Sequence, residues 1–153
     1  MANLRVEQKE QTRQRLLDTA LDLFETKGYA ATTIDDIAAA AGTTRVTFYA
    51  HFPSRRAIMA ALIDRLNVIL ERQESSAHGS TASALVEVVR AGTPEAIGGW
   101  LRAQSARWPA IRPYILSAWV AAAVEPEIRE LVDAWSEEVV SDIQDGLDLA
   151  DRF

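Results

Sequence analysis

The chain has 153 residues, a net charge of −6 at pH 7 and no cysteine. Its 48% apolar and 25% charged residues are typical of a globular protein, and the lack of cysteine excludes disulfides, thiolate catalysis and cysteine-ligated metal centres. Two histidines are too few for a histidine-built metal site without carboxylate help, and we expect no metal site and no cofactor.

The charge is distributed unevenly along the sequence. Residues 1–56 carry a net charge of +1, whereas residues 57–153 carry −7. The N-terminus lacks the apolar segment of a secretory signal, and the longest uncharged apolar stretch, 113–124, is too short to cross a bilayer. We therefore expect a cytoplasmic protein with no membrane partner, whose two parts have different partners.

Apolar residues recur at helical spacing, and no segment alternates as a strand would, so the sequence predicts an all-α fold. The first helix is predicted at about 8–27 and ends at Gly28, a typical residue after a helix. The second begins at Thr33, which forms a capping box with Asp36, and stops at Gly42. A third short helix is predicted at about 45–51.

The later helices are predicted from caps, prolines and apolar stripes. A fourth helix spans about 55–74, and the small polar residues 75–81 form a loop in which His78 has no assigned role. Further helices are predicted at about 82–91 and 94–107, then from the Pro109–Pro113 region to about Val124. The last helix opens at 125–127, with an apolar stripe formed by Ile128, Leu131, Val132, Trp135 and Val139.

Residues 33–52 predict two short helices joined by a glycine turn, the helix-turn-helix arrangement that places its second helix in the major groove of DNA. Phe48 and Phe52 are four residues apart and are predicted to pack inward. The opposite face carries Val46 and Ala50, which are small enough to enter a groove about 12 Å wide.

The polar residues near this face can bind DNA. Arg45 can reach a guanine edge or a phosphate, and Thr47 can bind a base or contact a thymine methyl group. Tyr49 and His51 flank the helix at the height of the phosphates, and Arg55 lies at a helix N-terminus suited to phosphate.

Residues 33–55, with Phe48-Tyr49-Ala50-His51-Phe52-Pro53-Ser54-Arg55 after an Ala-Gly turn, resemble the DNA-binding signature of TetR-family transcriptional regulators. Residues 20–29 resemble the first helix of that family, so the resemblance covers about 13–60. It implies a dimeric repressor that a small-molecule ligand releases from a palindromic DNA operator. It also implies base-reading positions at Thr44, Arg45, Val46 and Thr47, and backbone-contacting positions at Thr33, Tyr49, His51 and Arg55.

Three features depart from the family pattern. Thr43 stands where an apolar residue is usual, and Val46 stands where many members have glycine. Members usually close with two long helices, whereas this sequence supplies one. The expected fold is a three-helix head, 1–54, joined by helix four to a ligand-binding and dimerisation bundle, 55–153, that is short of the last helix.

A ligand pocket in the bundle is expected to use apolar and aromatic side chains, namely Leu62, Leu66, Trp100, Trp108, Tyr114 and Trp119. A regulator controlled by a protein partner instead of a small ligand stays open. An all-helical enzyme is a third hypothesis, but the sequence offers no nucleophile–base pairing and no nucleotide loop.

Overall fold

The computed structural model describes residues 2–70 and 83–150. These residues form no strand, as predicted, and seven α-helices: α1 (Ala2–Thr26), α2 (Ile34–Ala40), α3 (Arg45–His51), α4 (Arg55–Ile69), α5 (Ser83–Ala91), α6 (Pro94–Ala122) and α7 (Pro126–Asp148). The predicted loop at 75–81, including His78, and the predicted end of helix four at 71–74 lie outside the described residues. None of the described helices has the length and hydropathy needed to cross a membrane.

The first four helices begin or end where local signals place them. The peptide N–H of Lys27 donates to the carbonyl oxygen of Leu23 at 2.8 Å, and Gly28 follows with φ +88°. α1 begins earlier than the prediction of about residue 8, because its first turns are exposed and carry no apolar stripe that the periodicity could detect. Thr33 and Thr44 are the N-caps of α2 and α3.

The prediction of two separate helices, one before Pro109 and one after Pro113, is wrong, because α6 runs unbroken from Pro94 to Ala122. A proline inside a helix leaves the carbonyl four residues earlier without its usual donor. Here those carbonyls belong to Ser105 and Pro109, which are both exposed, so water can bind them.

The chain divides into two compact units. The first contains Met1–Asp64 and Pro113–Arg129, and the second contains Arg65–Arg112 and Glu130–Phe153. The division falls inside α4, α6 and α7, so each of these helices contributes to both units. The predicted functional boundary between residues 54 and 55 stays a prediction.

The first unit has a continuous apolar core. Its fully buried side chains include Leu16 of α1, Ile37 of α2, Phe48 of α3 and Ile58 of α4. From the later part of the chain, Ala121 and Ile128 are also fully buried. These residues hold the short helices α2 and α3 against longer ones, which they need because helices of seven residues are marginal on their own.

The second unit packs α5 closely against α7 at Gly146. A Cβ atom built on Gly146 would lie 2.6 Å from the Cβ of Val89 and 2.8 Å from the carbonyl oxygen of Val86. The lack of a side chain at residue 146 therefore sets how near the two helices approach.

Candidate nucleic-acid interface

Hydrogen bonds fix the start of α2 and the turn that follows it. The hydroxyl of Thr33 accepts from the peptide N–H of Asp36 at 3.1 Å, and a carboxylate oxygen of Asp36 accepts from the peptide N–H of Thr33 at 2.8 Å. The peptide N–H of Thr43 donates to the carbonyl of Ala38 at 2.9 Å, beside Gly42 with φ +66°. The turn thus closes with threonine at the position where the family usually has an apolar residue.

Asp36 also binds the end of α1. The Lys27 ammonium lies 2.6 Å from its carboxylate. This hydrogen bond and those from Thr33 hold the pKa of Asp36 well below its usual range. One partly exposed carboxylate therefore joins the residue that follows α1 to the first turn of α2.

The inner face of α3 anchors it in the core, as predicted. Phe48 is fully buried and Phe52 nearly so, with ring centroids 6.0 Å apart. At the other end of the helix, the Thr44 hydroxyl accepts from the peptide N–H of Thr47 at 3.2 Å, and the two hydroxyls lie 3.0 Å apart. Thr44, a predicted base-reading residue, is thus also the N-cap of α3, and it holds a second one, Thr47.

The outer face of α3 carries an apolar residue beside a cation. Val46 is 80% exposed and Tyr49 is 44% exposed. The Arg45 guanidinium lies 3.3 Å from the carboxylate of Asp35 and 3.4 Å from the hydroxyl of Tyr49. Arg45 and Tyr49 are therefore placed together on the surface, with Asp35 of α2 as their acidic neighbour.

His51 is the last residue of α3 and lies near the cationic side chains of α1. Partial burial lowers the pKa of His51, and the nearby cations Lys9 and Arg13 lower it further. The imidazole is therefore neutral at pH 7, and a phosphate contact there would use its N–H and not a charge. The Arg13 guanidinium lies over the ring of Phe52, 4.5 Å from its centroid.

Sequence reasoning missed these cations of α1. Arg5, Lys9 and Arg13 follow one another at intervals of four residues, so they share one side of the helix. The spacing was present in the sequence, but a search for an apolar stripe passes over a charged one.

Arg55 lies among protein groups. Its Nη1 atom is 3.0, 3.2 and 2.9 Å from the carbonyl oxygens of Tyr29, Ala30 and Thr32, respectively. Its Nη2 atom is 3.4 Å from the carboxylate of Glu125. The predicted phosphate contact of Arg55 stays a prediction, and the structure gives the same guanidinium a set of internal partners.

The six residues predicted to line a ligand pocket fall in different units. Leu62, Tyr114 and Trp119 belong to the first unit, and Leu66, Trp100 and Trp108 belong to the second. Leu62 and Leu66 are buried, whereas Trp108 and Trp119 are 44% and 59% exposed. The pocket stays a prediction. Among the described residues, no group of three or more histidine and acidic side chains is placed to hold a metal ion.

A model of the family described as "bacterial regulatory proteins, tetR family" matches residues 16–62. The chain is 40% identical over 76 residues to the HTH-type transcriptional regulator EthR of Mycolicibacterium smegmatis, covering 50% of this chain and 34% of that protein. It is 38% identical over 63 residues to the HTH-type transcriptional regulator SrpR of Pseudomonas putida, covering 41% and 30%. These names agree with the prediction that the chain is not an enzyme.

Among solved structures, Salmonella enterica GusR aligns with 86% of this chain and 63% of its own, with a TM-score of 0.54 and 21% identity. This likeness concerns the fold and agrees with the predicted all-α architecture. The chain spans about a third of the length of the curated relatives reported above.

Proposed function

We propose that this chain, whose residues 16–62 match the model of the TetR family of bacterial regulatory proteins, is a DNA-binding transcriptional regulator that acts as a dimeric repressor on a palindromic operator. The observation that carries this proposal is the outer face of α3. Its inner side is fixed by the buried Phe48, while Val46 is 80% exposed beside the Arg45 guanidinium. A rigid short helix with a small apolar residue and a cation outward fits the major groove.

DNA binding is tested by selecting sequences from a random duplex library with the full chain and measuring affinity at several salt concentrations. A dimer that neutralises about 4–8 phosphates gives a slope of log affinity against log salt of roughly −4 to −7. A slope near zero between low and physiological salt contradicts DNA binding.

The proposed dimer is supported by the outer side of α7. Val140, Ile143 and Leu147 are 54%, 38% and 40% exposed, and their spacing places them on one face of the helix. In a dimer, this apolar face would be removed from water by a second copy of the chain. Sedimentation should show that Ile143→Asp forms less dimer than Ser141→Asp, which adds the same charge at an exposed residue outside this face. Equal dimer content in the two variants contradicts this interface.

A small-molecule effector is proposed to release the operator. One observation supports a polar ligand group near α4: the amide oxygen of Asn67 is buried without a hydrogen-bond partner among the described residues. Such an atom is costly to leave unpaired, and a ligand donor would satisfy it. Compounds should be titrated while tryptophan fluorescence and operator release are followed together. Quenching without release would show binding without regulation.

Control by a protein partner is the second candidate. It is favoured by Trp108 and Trp119, whose exposure is unusual for side chains of this size and suits a protein interface. A partner that binds there should protect both tryptophans from an aqueous quencher. A small ligand enclosed within the bundle should leave Trp119 accessible.

A further inference from the structure

Arg55 binds the segment that leads from α1 into α2. Its side chain is only 26% exposed, and its Nη1 atom lies within 3.2 Å of three carbonyl oxygens between residues 29 and 32. Its Cζ atom lies 4.3 Å from the centroid of the Tyr29 ring. One guanidinium thus fixes both the backbone and an aromatic side chain of this segment.

Glu125 completes the group from a distant part of the sequence. It lies between α6 and α7, is 27% exposed, and its carboxylate accepts from Arg55 at 3.4 Å and from the Tyr29 hydroxyl at 3.3 Å. Burial raises the pKa of Tyr29, so its hydroxyl keeps the proton that it donates. The peptide N–H of Glu125 donates to the carbonyl of Ala121 at 2.9 Å, which ties Glu125 to the end of α6.

The segment held by Arg55 sets where α2 begins. Thr32 is fully buried, and its hydroxyl donates to the carbonyl of Gly28 at 2.8 Å. The next residue, Thr33, is the N-cap of α2, and α2 packs against α3. A continuous set of contacts therefore leads from Glu125 through Arg55 to the helix pair proposed to bind DNA.

We propose that Glu125 is a positioning residue for DNA recognition: it holds Arg55, Arg55 holds residues 29–32, and the connection between α6 and α7 thereby sets the placement of α2 and α3. This inference rests on the proposed DNA-binding function and assigns a means of regulation to it. An effector that displaces the segment between α6 and α7 removes the acceptor of Arg55 and loosens the DNA-binding helices.

The competing role for Arg55 is a direct phosphate contact, and the two roles predict opposite results for Glu125. If Arg55 binds phosphate, Glu125→Gln removes a competing carboxylate and leaves operator affinity equal or higher. Arg55→Gln then reduces the salt slope by about 1 for each protomer. If Glu125 positions Arg55, both variants weaken operator binding and leave the salt slope unchanged.

The test uses the full chain and a duplex selected by the wild-type protein. We expect Glu125→Gln to lower affinity roughly 5- to 50-fold, as is common for coupling between sites. The double variant with Arg55→Gln should lose little more than the worse single variant, since both changes break one contact set. The matched control is Glu127→Gln, which removes the same charge from a neighbouring exposed residue paired with Arg56 and should change affinity less than about twofold.

Tyr29→Phe provides a milder variant in case Glu125→Gln folds poorly. It removes the hydroxyl donor to Glu125 and keeps the aromatic ring, so a smaller loss of affinity in the same direction is expected. Amide hydrogen exchange should rise in α2 but not in α5 in Tyr29→Phe and in Glu125→Gln, and it should rise in neither helix in Glu127→Gln. A general loss of stability would raise exchange in both helices.

Equal affinities for Glu125→Gln and Glu127→Gln, or a reduced salt slope in Arg55→Gln, overturn the positioning role. If the wild-type chain selects no sequence and binds no duplex at low salt, the proposed function itself fails. The two failures are therefore distinguishable.

Discussion

The two compact units of the chain differ in how completely their apolar side chains are covered. The first unit contains nearly all the large buried side chains, including Tyr29, Phe48 and Ile128, and polar contacts join the ends of its helices. In the second unit, Leu66, Val86 and Ile111 are buried, and both units leave large apolar residues exposed, among them Trp119 in the first unit and Trp108 in the second. The difference indicates that the first unit has the larger apolar core with which to hold a recognition surface in place.

The largest expected effect is the loss of stability when a buried side chain of the first unit is truncated. Phe48→Ala removes a fully buried ring and is expected to cost roughly 3–5 kcal/mol of unfolding free energy, a large part of the stability of a typical domain. Trp108→Ala in the second unit removes a larger ring that is 44% exposed, and it should cost much less. Urea denaturation followed by circular dichroism measures both values. Equal losses would contradict the difference between the units.

The role of the recognition surface is tested by Arg45→Ala. Loss of a base contact should weaken operator binding by about 1–3 kcal/mol and relax specificity at one base position. Arg90→Ala, which removes an exposed arginine of α5 paired with Glu87, should leave binding unchanged. Fluorescence anisotropy on a set of single-base operator variants is the measurement. A uniform loss over all sequences would assign Arg45 to the DNA backbone.

The packing of the second unit is tested by adding one methyl group. Gly146→Ala forces a Cβ into Val89 and the backbone of α5, and overpacking of this kind costs roughly 1–3 kcal/mol. Gly99→Ala is the control, because nothing lies within 4 Å of its Cβ and alanine favours the helix by roughly 0.5–1 kcal/mol. Thermal unfolding should move in opposite directions for the two variants. Stabilisation by both would show that α5 and α7 can separate without cost.

The smallest expected effect is the change with pH in the stability that Asp36 gives to the first unit. The folded pKa of Asp36 is lowered, first by Lys27 and then by Thr33, so its ionised form favours the folded state. This stabilisation is complete above the unfolded pKa of about 4 and is lost as pH falls through the lower folded pKa. The difference in Tm between the wild-type chain and Asp36→Asn should therefore shrink as pH is lowered from 6 towards 2. A constant difference would mean that capping geometry alone is involved.

The first unit could be predicted well from sequence because its signals are local. Thr33, Asp36 and Gly42 lie within ten residues of one another and define α2 and its turn, and the spacing of Phe48 and Phe52 predicts the buried face of α3. The role of Arg55 could not be predicted in the same way. Its acceptors are backbone carbonyls and a carboxylate 70 residues away, and neither leaves a pattern near Arg55.

Helix α6 and the contact at Gly146 show the same limit. Pro109 predicts a break or a kink from sequence alone, whereas an exposed carbonyl four residues earlier lets the helix continue, and the exposure of Ser105 depends on the fold. A glycine inside a helix predicts a less stable helix, whereas Gly146 allows Val89 of another helix to approach closely. Predicting either feature requires knowledge of which surfaces are packed and which are exposed.

The division of α4, α6 and α7 between the two units has a consequence for recombination. A genetic exchange or an engineered chimera that transfers residues 1–64 as one block carries Arg55 to its new host but leaves Glu125 behind. The transferred block would then depend on whether the recipient offers a carboxylate between its own α6 and α7. If Glu125 positions Arg55 as proposed, grafting 113–129 together with residues 1–64 should restore operator binding to a chimera that has lost it.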